Sequence, residues 1–246
     1  QLVYHRWPQE FPALQEAVIA IASKARARLV VAENLYGYGP SDRPFTEDMP
    51  MAPNTRKGRV RAAMHAELMR ASAAGDLEVA VARASDFFGP HVDGSAVGAR
   101  AFQALVKGGA VECLGDPDAL HSVTFVEDFG AALARLGTEP RAVGQVWHVP
   151  NAPAVSQRRF FEIAARLAER PLKLRPVGAL EMRMLGLFIP PVREMIEMRY
   201  EFEKPFVVDH TKFVTAFGDL STPLEAALHK TIAWTRDAAA AAVRAK

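Results

Sequence analysis

The chain has 246 residues, is half hydrophobic and 24% charged, and carries a formal net charge of +2. That is enough for one good core, or a large and a small lobe, with no low-complexity run to suggest disorder. Scattered basic residues argue against a nucleic-acid partner, no apolar run reaches the roughly 18 residues of a membrane span, and the single Cys113 excludes an internal disulfide and suits a reducing cytoplasm.

The opening "QLVYH" reads as the end of a buried strand, and "QLVYHRWPQEF" has no apolar centre of the kind a signal peptide needs. Leu14, Ala17, Val18, Ile21 and Ala22 give residues 12–27 helical spacing. "RLVVA", residues 28–32, reads as a buried parallel strand. A Gly/Pro-rich loop follows over 37–53, with the acidic pair Glu47 and Asp48, and helix resumes over 56–74. "LEVAVARAS", residues 77–85, is the clearest strand, and "DFFGPHVDGS" reads as a loop. Residues 97–107 are helical and stop at Gly108-Gly109; "AVECLG" is a short strand. "HSVTFVEDFGAALARLG" reads as strand, turn and helix, with Asp128 capping that helix. "GQVWHVPN" is a strand, and Ser156 reads as an N-cap of the helix that follows. Alternating strands and helices predict an α/β fold with a largely parallel sheet. From Arg175 the pattern changes to a Met- and aromatic-rich helical stretch broken at Pro190-Pro191, read either as core packing or as a small lobe or lid. The chain closes on an Ala-rich helix.

The stretch "VVAENLYGYGPSDRPFTEDMPMAPNTRKGRVRAAMHAEL", residues 30–68, resembles the middle of an extended short-chain dehydrogenase/reductase, the NAD-dependent epimerase/dehydratase branch. Four further segments resemble that family in the same order: "VARASDFFGPHV", "LGDPDALHSVTFVEDFGAAL", "GQVWHVPNAPAVSQRRFFEIAARLA" and "VVDHTKFVTAFGDLSTPLEAALHKTIAW". Each match is weak alone; five in order, over about residues 14 to 234, are specific. The resemblance implies a Rossmann-like, mostly parallel sheet flanked by helices, with a small, mainly helical C-terminal lobe. Residues 1–150 would form a partial dinucleotide-binding domain, and 151–246 substrate-lobe segments interleaved with it. It implies NAD or NADP as cofactor, a small-molecule substrate and, as in many relatives, a homodimer formed through two helices flanking the sheet.

Three departures stand out. The glycine-rich loop that holds a pyrophosphate at a helix N-terminus is not in this chain: Gly37 and Gly39 follow the wrong strand, and Gly108-Gly109 ends a helix. The resemblance places the first residue inside the fourth strand, so either the first βαβ units lie upstream or the protein is natively short. The assisting serine or threonine position is Ala32. The Tyr-x-x-x-Lys positions carry Thr55 and Arg59. A threonine hydroxyl is too weak an acid for the tyrosine's work, and an arginine keeps the charge but not the proton chemistry of lysine.

Ligands in open α/β sheets gather at the carboxyl ends of the strands. Tyr36 or Tyr38 could therefore substitute as acid/base, with Arg59 lowering the phenol's pKa; the alternative for each tyrosine is packing in a Gly-rich turn. The resemblance puts Ala32, Asn34, Thr55, Arg59, Ala84, Asp86 and Phe87 against the cofactor, and Phe88, His91 and His121 against the substrate. Asn34 and Glu33 also have bland readings as loop residues, Arg83 as the partner of a buried carboxylate, and Lys57 as a solvated charge. His121 stands where nucleotide-sugar enzymes carry a diphosphate-gripping arginine, which weakens that substrate class. "HAEL" at His65 is not a zinc motif, and no Gly-x-Ser-x-Gly elbow exists. The expectation is a hydride-transferring, NAD(P)-dependent epimerase/dehydratase-like oxidoreductase with an unusual acid. The alternative is a non-catalytic dinucleotide-binding protein that reports redox state to a partner.

Overall fold

The computed structural model describes residues 6–244; the strand end expected in "QLVYH" lies outside the described residues. Helix α1 (Trp7–Ala25) starts earlier than the apolar spacing suggests, because Pro8 pre-sets φ in its first turn. It ends at Arg26, whose φ of 51° is left-handed. The periodic side chains Leu14, Val18 and Ile21 stay exposed.

Strand β1 (Leu29–Glu33) leads through the long loop to α2 (Arg56–Ala73) and back to β2 (Val79–Arg83). These strands and β7 (Gln145–His148) form a parallel sheet in the order β1-β2-β7. All five β2 residues are buried, as a strand covered on both faces requires. The pleat sends alternate residues to opposite layers. Val79 and Val81 pack with Ile19, Ala22 and Met69 of α1 and α2. Ala80 and Ala82 pack with Phe129, Ala132 and Leu136 of α4 (Val126–Thr138).

The short strands place the second layer. "DFF", read as loop, forms β3 (Asp86–Phe88), because it finds a parallel partner in β6 (Val123–Phe125), from which α4 starts with no intervening turn. β4 (Val111–Leu114) pairs with β9 (Leu174–Val177), and β5 (Leu120–His121) with β8 (Val155–Ser156). β9 was not legible as a strand; its Pro176 is tolerated in a two-stranded pair. Helices α3 (Ala99–Val106), α5 (Gln157–Leu167) and α9 (Leu224–Arg244) close a core around Phe102, Leu105, Phe160, Phe161 and Leu228. Ser156 accepts the backbone N–H of Arg159 as the N-cap of α5. Asp128 does not cap α4: its carboxylate accepts the Thr222 N–H and hydroxyl at 2.8 and 2.6 Å, tying α4 to the segment before α9.

The C-terminal region forms α6 (Ala179–Phe188), α7 (Pro190–Met195), a 3-10 turn (Ile196–Phe202) and α8 (Thr211–Phe217). The break falls at the expected prolines, since Pro190 suits a first turn and not an interior. Lys57 corrects the reading of a solvated charge. It is 1% exposed, and its Nζ donates to the Glu194 carboxylate and carbonyl at 2.8 Å and to Glu197 Oε1 at 2.6 Å. The first turn of α2 has no acidic residue of its own, and Glu197 Oε2 accepts the Arg56 N–H at 2.9 Å. Carboxylates from the C-terminal lobe thus meet the positive end of the α2 dipole.

Lys57→Met removes the buried cation and leaves two carboxylates facing each other. The expected loss in urea unfolding is about 3 kcal/mol, the low end for a broken buried pair because Glu197 keeps some water. Hydrogen exchange over 190–202 should accelerate more than over β2; equal protection in the variant would rule out the clamp.

Candidate active site

A cavity of about 390 Å³ opens at the carboxyl ends of β1 and β2, within the size range of small-molecule sites. Its floor comes from the ends of the parallel strands: Ala32, Glu33 and Asn34 after β1, and Ala84 and Ser85 after β2. Its roof comes from the C-terminal lobe: Glu194, Met195, Met198, Glu201 and Phe202. The Met-rich stretch therefore packs and lines the site at once.

Of the residues singled out in the sequence, Ala32, Asn34, Tyr36, Ala84, Asp86 and Phe87 come together on this wall. Asn34 Oδ1 accepts the Tyr36 N–H at 3.3 Å, holding the loop, and the Tyr36 ring stacks on Trp7. Phe87 packs edge-on against Phe129. Arg61, not singled out in the sequence, brings a cation to the wall, with its guanidinium over Trp7 and Phe11 at 4.7 and 4.6 Å.

The other candidates lie elsewhere. Thr55 is the buried N-cap of α2 and accepts the Gly58 N–H at 3.0 Å. Arg59 is exposed, and its guanidinium reaches the Asn54 carbonyl. The cation beside Tyr38 is instead Arg83, 4.7 Å above its ring. Tyr38 is 2% exposed and its hydroxyl donates to His148 Nε2 at 2.9 Å. Burial pushes this phenol up, against the pull of Arg83. Phe88 packs in the core against Phe125 and Phe160. His91 is exposed, at a φ of 64°, with its ring against Trp234. His121 is buried behind the wall, stacked on Phe202 and Phe206.

Two polar networks set the charges. Arg83 Nε donates to Glu33 Oε2 at 2.9 Å, and His65 Nδ1 lies 3.3 Å from Oε1. Burial pushes the Glu33 carboxyl up, but the His65 hydrogen bond and the Arg83 charge outweigh it and hold the group below the usual carboxylate range. Arg83 thus takes the bland reading, as partner of a buried carboxylate. In the second network, His121 Nδ1 donates to the Glu201 carbonyl at 3.1 Å, and His121 Nε2 is hydrogen-bonded to Asp86 Oδ2 at 2.9 Å. Ser85 Oγ is buried in the wall without a hydrogen-bond partner among the described residues. Among those residues no group of three or more His, Cys, Asp or Glu side chains could hold a metal ion.

The sequence pattern of the NAD dependent epimerase/dehydratase family matches residues 13–149, and the chain belongs to that family. A comparison with curated proteins found no match. Among solved structures, the fold is shared with a dTDP-glucose 4,6-dehydratase from Bacillus anthracis in complex with NAD, at 16% identity and a TM-score of 0.71, over 91% of this chain and 66% of that one. A Bacillus cereus UDP-glucuronic acid 4-epimerase in complex with NAD gives 12% and 0.73 over the same shares. A Thermus thermophilus UDP-glucose 4-epimerase in complex with NAD gives 16% and 0.70, over 91% of this chain and 69% of that one. The chain thus spans 66% of the length of the first two. No helix among the described residues is long and apolar enough to cross a membrane.

The buried polar chain beneath the site has a pH signature. His148 donates from Nδ1 to the Asp209 carbonyl at 2.9 Å and accepts from Tyr38, and burial lowers its pKa from 6.5 to about 3. The unfolded chain therefore binds this proton more readily. The stabilisation is complete above 6.5 and is lost as pH falls towards 3. Urea titrations should show stability falling over that window, with His148 contributing at most about 1.4 kcal/mol per pH unit. His148→Gln should remove that share; an unchanged slope would refute the assignment.

Proposed function

We propose that the protein is a nicotinamide-dependent oxidoreductase of the epimerase/dehydratase type, acting on a small polar, sugar-like carbonyl or alcohol in this cavity. The observation that carries the reading is the convergence of Ala32, Asn34, Tyr36, Ala84, Asp86 and Phe87 on one cavity at the sheet's carboxyl edge. The wall fits the nicotinamide end of a dinucleotide. Ala32 and Ala84 project nothing beyond a methyl group, leaving room for a flat ring. Ser85 Oγ, buried and unpartnered among the described residues, is an orphan that a carboxamide or ribose hydroxyl would satisfy. A dinucleotide bound there, NAD or NADP, would supply or accept the hydride.

The chain's own residues do the rest. Tyr36 offers its hydroxyl to the reacting oxygen from the wall of the cavity. Phe87 and the roof methionines shed water from the reacting carbon. Tyr38 lies in the buried network with His148 and Arg59 faces solvent, so of the two tyrosines it is Tyr36 that lines this cavity. His121, enclosed by Phe202 and Phe206 and bonded to Asp86, favours a substrate without a diphosphate to be gripped.

The second reading, a non-catalytic dinucleotide-binding protein, is favoured by Thr55 and Arg59 serving as a helix cap and an exposed charge. The test uses protein expressed from its complete coding sequence. NADH and NADPH binding is followed by fluorescence, and hydride transfer by single-turnover oxidation with keto sugars. Tyr36→Phe should lower the hydride step about 10²–10³-fold, the range for one lost oxyanion donor. Tyr38→Phe should leave that step intact and cost about 1–3 kcal/mol in stability, because His148 Nε2 loses its donor. Binding without turnover would select the second reading; no binding of either nucleotide would defeat both.

The exposed Leu14, Val18 and Ile21 stripe on α1 supports a homodimer closed over this helix. Ile21→Glu should then shift the protein towards monomer in sedimentation velocity; an unaltered profile would place the interface elsewhere.

A further inference from the structure

Glu201 is a deeply buried acid on the wall of the cavity. It sits in the 3-10 turn of the roof, is 2% exposed, and lines the cavity beside Asp86. Its main chain is pinned, because His121 Nδ1 donates to its carbonyl and the His121 ring is clasped between Phe202 and Phe206. Its side chain is held more loosely: the Tyr200 hydroxyl is its neighbour, but Oε1 makes no hydrogen bond of ordinary geometry among the described residues. Leaving a carboxyl oxygen so costs stability unless a ligand supplies the partner.

The other acids of the wall are committed. Glu33 answers Arg83 and His65, Glu194 answers Lys57 and Arg56, and Asp86 is hydrogen-bonded to His121. No cation is bonded to the Glu201 carboxyl among the described residues.

On the oxidoreductase reading above, we propose that Glu201 is the proton-donating catalytic residue of this cavity, hydrogen-bonding the oxygen of a bound carbonyl compound and protonating it as the carbon is reduced. In that step a hydride from a reduced nicotinamide dinucleotide forms the new C–H bond. The carbon–oxygen π bond breaks, and its electron pair takes the proton from the Glu201 carboxylic acid. The dinucleotide leaves oxidised, the substrate leaves as an alcohol, and Glu201 is left as a carboxylate, regaining a proton from water on opening. In the oxidative direction the same carboxylate accepts the hydroxyl proton.

Burial first, and then the charge of Asp86, push the Glu201 carboxyl well above the usual range, against the pull of the neighbouring Tyr200 hydroxyl. Both effects favour the protonated acid over the carboxylate. The titratable groups around it are Asp86 from β3, His121 from β5, Tyr200 on its own turn, and Glu33, Glu194 and Arg61 on the same wall.

The test compares wild type, Glu201→Gln and Glu201→Asp in the complete protein, using dihydroxyacetone and D-xylulose as probes. Difference infrared spectroscopy at neutral pH should show a protonated-carboxyl C=O band that is absent from Glu201→Gln and that shifts when a probe is added. NADH binding should be unchanged in both variants. The single-turnover hydride step should fall about 10²–10⁴-fold in Glu201→Gln, the range for a lost general acid, with partial recovery in Glu201→Asp. A band that persists in Glu201→Gln, or does not shift with either probe, would overturn the proposal, as would an undiminished hydride step. If wild type shows the shifting band but no turnover, the contact of Glu201 with the carbonyl stands and the oxidoreductase reading falls. Should Glu201→Gln fail to fold, by circular dichroism, the band shift in wild type and the rate of Glu201→Asp decide.

Discussion

The site depends on one buried ammonium. Lys57, in the first turn of α2, is enclosed by Glu194 and Glu197 from the C-terminal lobe. A lone charge at that depth would be driven neutral or drawn to water; two carboxylates at hydrogen-bond distance make the position tolerable. The same segment carries Met195, Met198, Glu201 and Phe202 across the strand ends. Without this clamp the strands would end at an open edge. With it they end in a cavity roofed by that segment.

Around that cavity almost every charge has been answered. Arg83 and His65 favour the ionised form of Glu33, Lys57 and Arg56 do so for Glu194, and His121 is hydrogen-bonded to Asp86. Glu201 is left with burial and a nearby carboxylate, both of which favour its neutral form. Acid/base assignments follow from such divergence: titratable groups close together whose surroundings push them apart.

The layered α/β fold was legible because its signals are local. "LEVAVARAS" alternates valine with alanine in a short run bounded by loop residues, and Ser156 stands three residues before the N–H it accepts. The strand-end positions Ala32, Asn34, Tyr36, Ala84, Asp86 and Phe87 were legible for a related reason: the carboxyl edge of a parallel sheet is fixed once the strands are found. What could not be read was set by distant pairing. Lys57 sits in "TRKGRVR", charged throughout, and looks solvated until its partners 137 and 140 residues away are in place. β9 exists only because β4 accepts it. Glu201 lies in "RYEFEKPF", where alternating acids look like a surface; only the stacking of His121 against Phe202 and Phe206 turns one of them inward.

The departures from the family's usual tyrosine and lysine are then coupled. A phenol titrating at about 10 must be brought down to serve near neutrality, and a cation does that; a carboxyl titrating at about 4.3 must be brought up, and a cation would undo it. The environments are therefore mutually exclusive in one small cavity. A chain that moves its acid from a phenol to Glu201 no longer needs the cation that would lower the phenol. Thr55 caps a helix, Arg59 faces solvent, and Lys57 is held by Glu194 and Glu197. The cation that remains on the wall, Arg61, lies over Trp7 and Phe11. On this view the lost tyrosine and lysine do not mark decay. If Glu201 is the acid proposed above, their absence is what lets burial and Asp86 favour its protonated form.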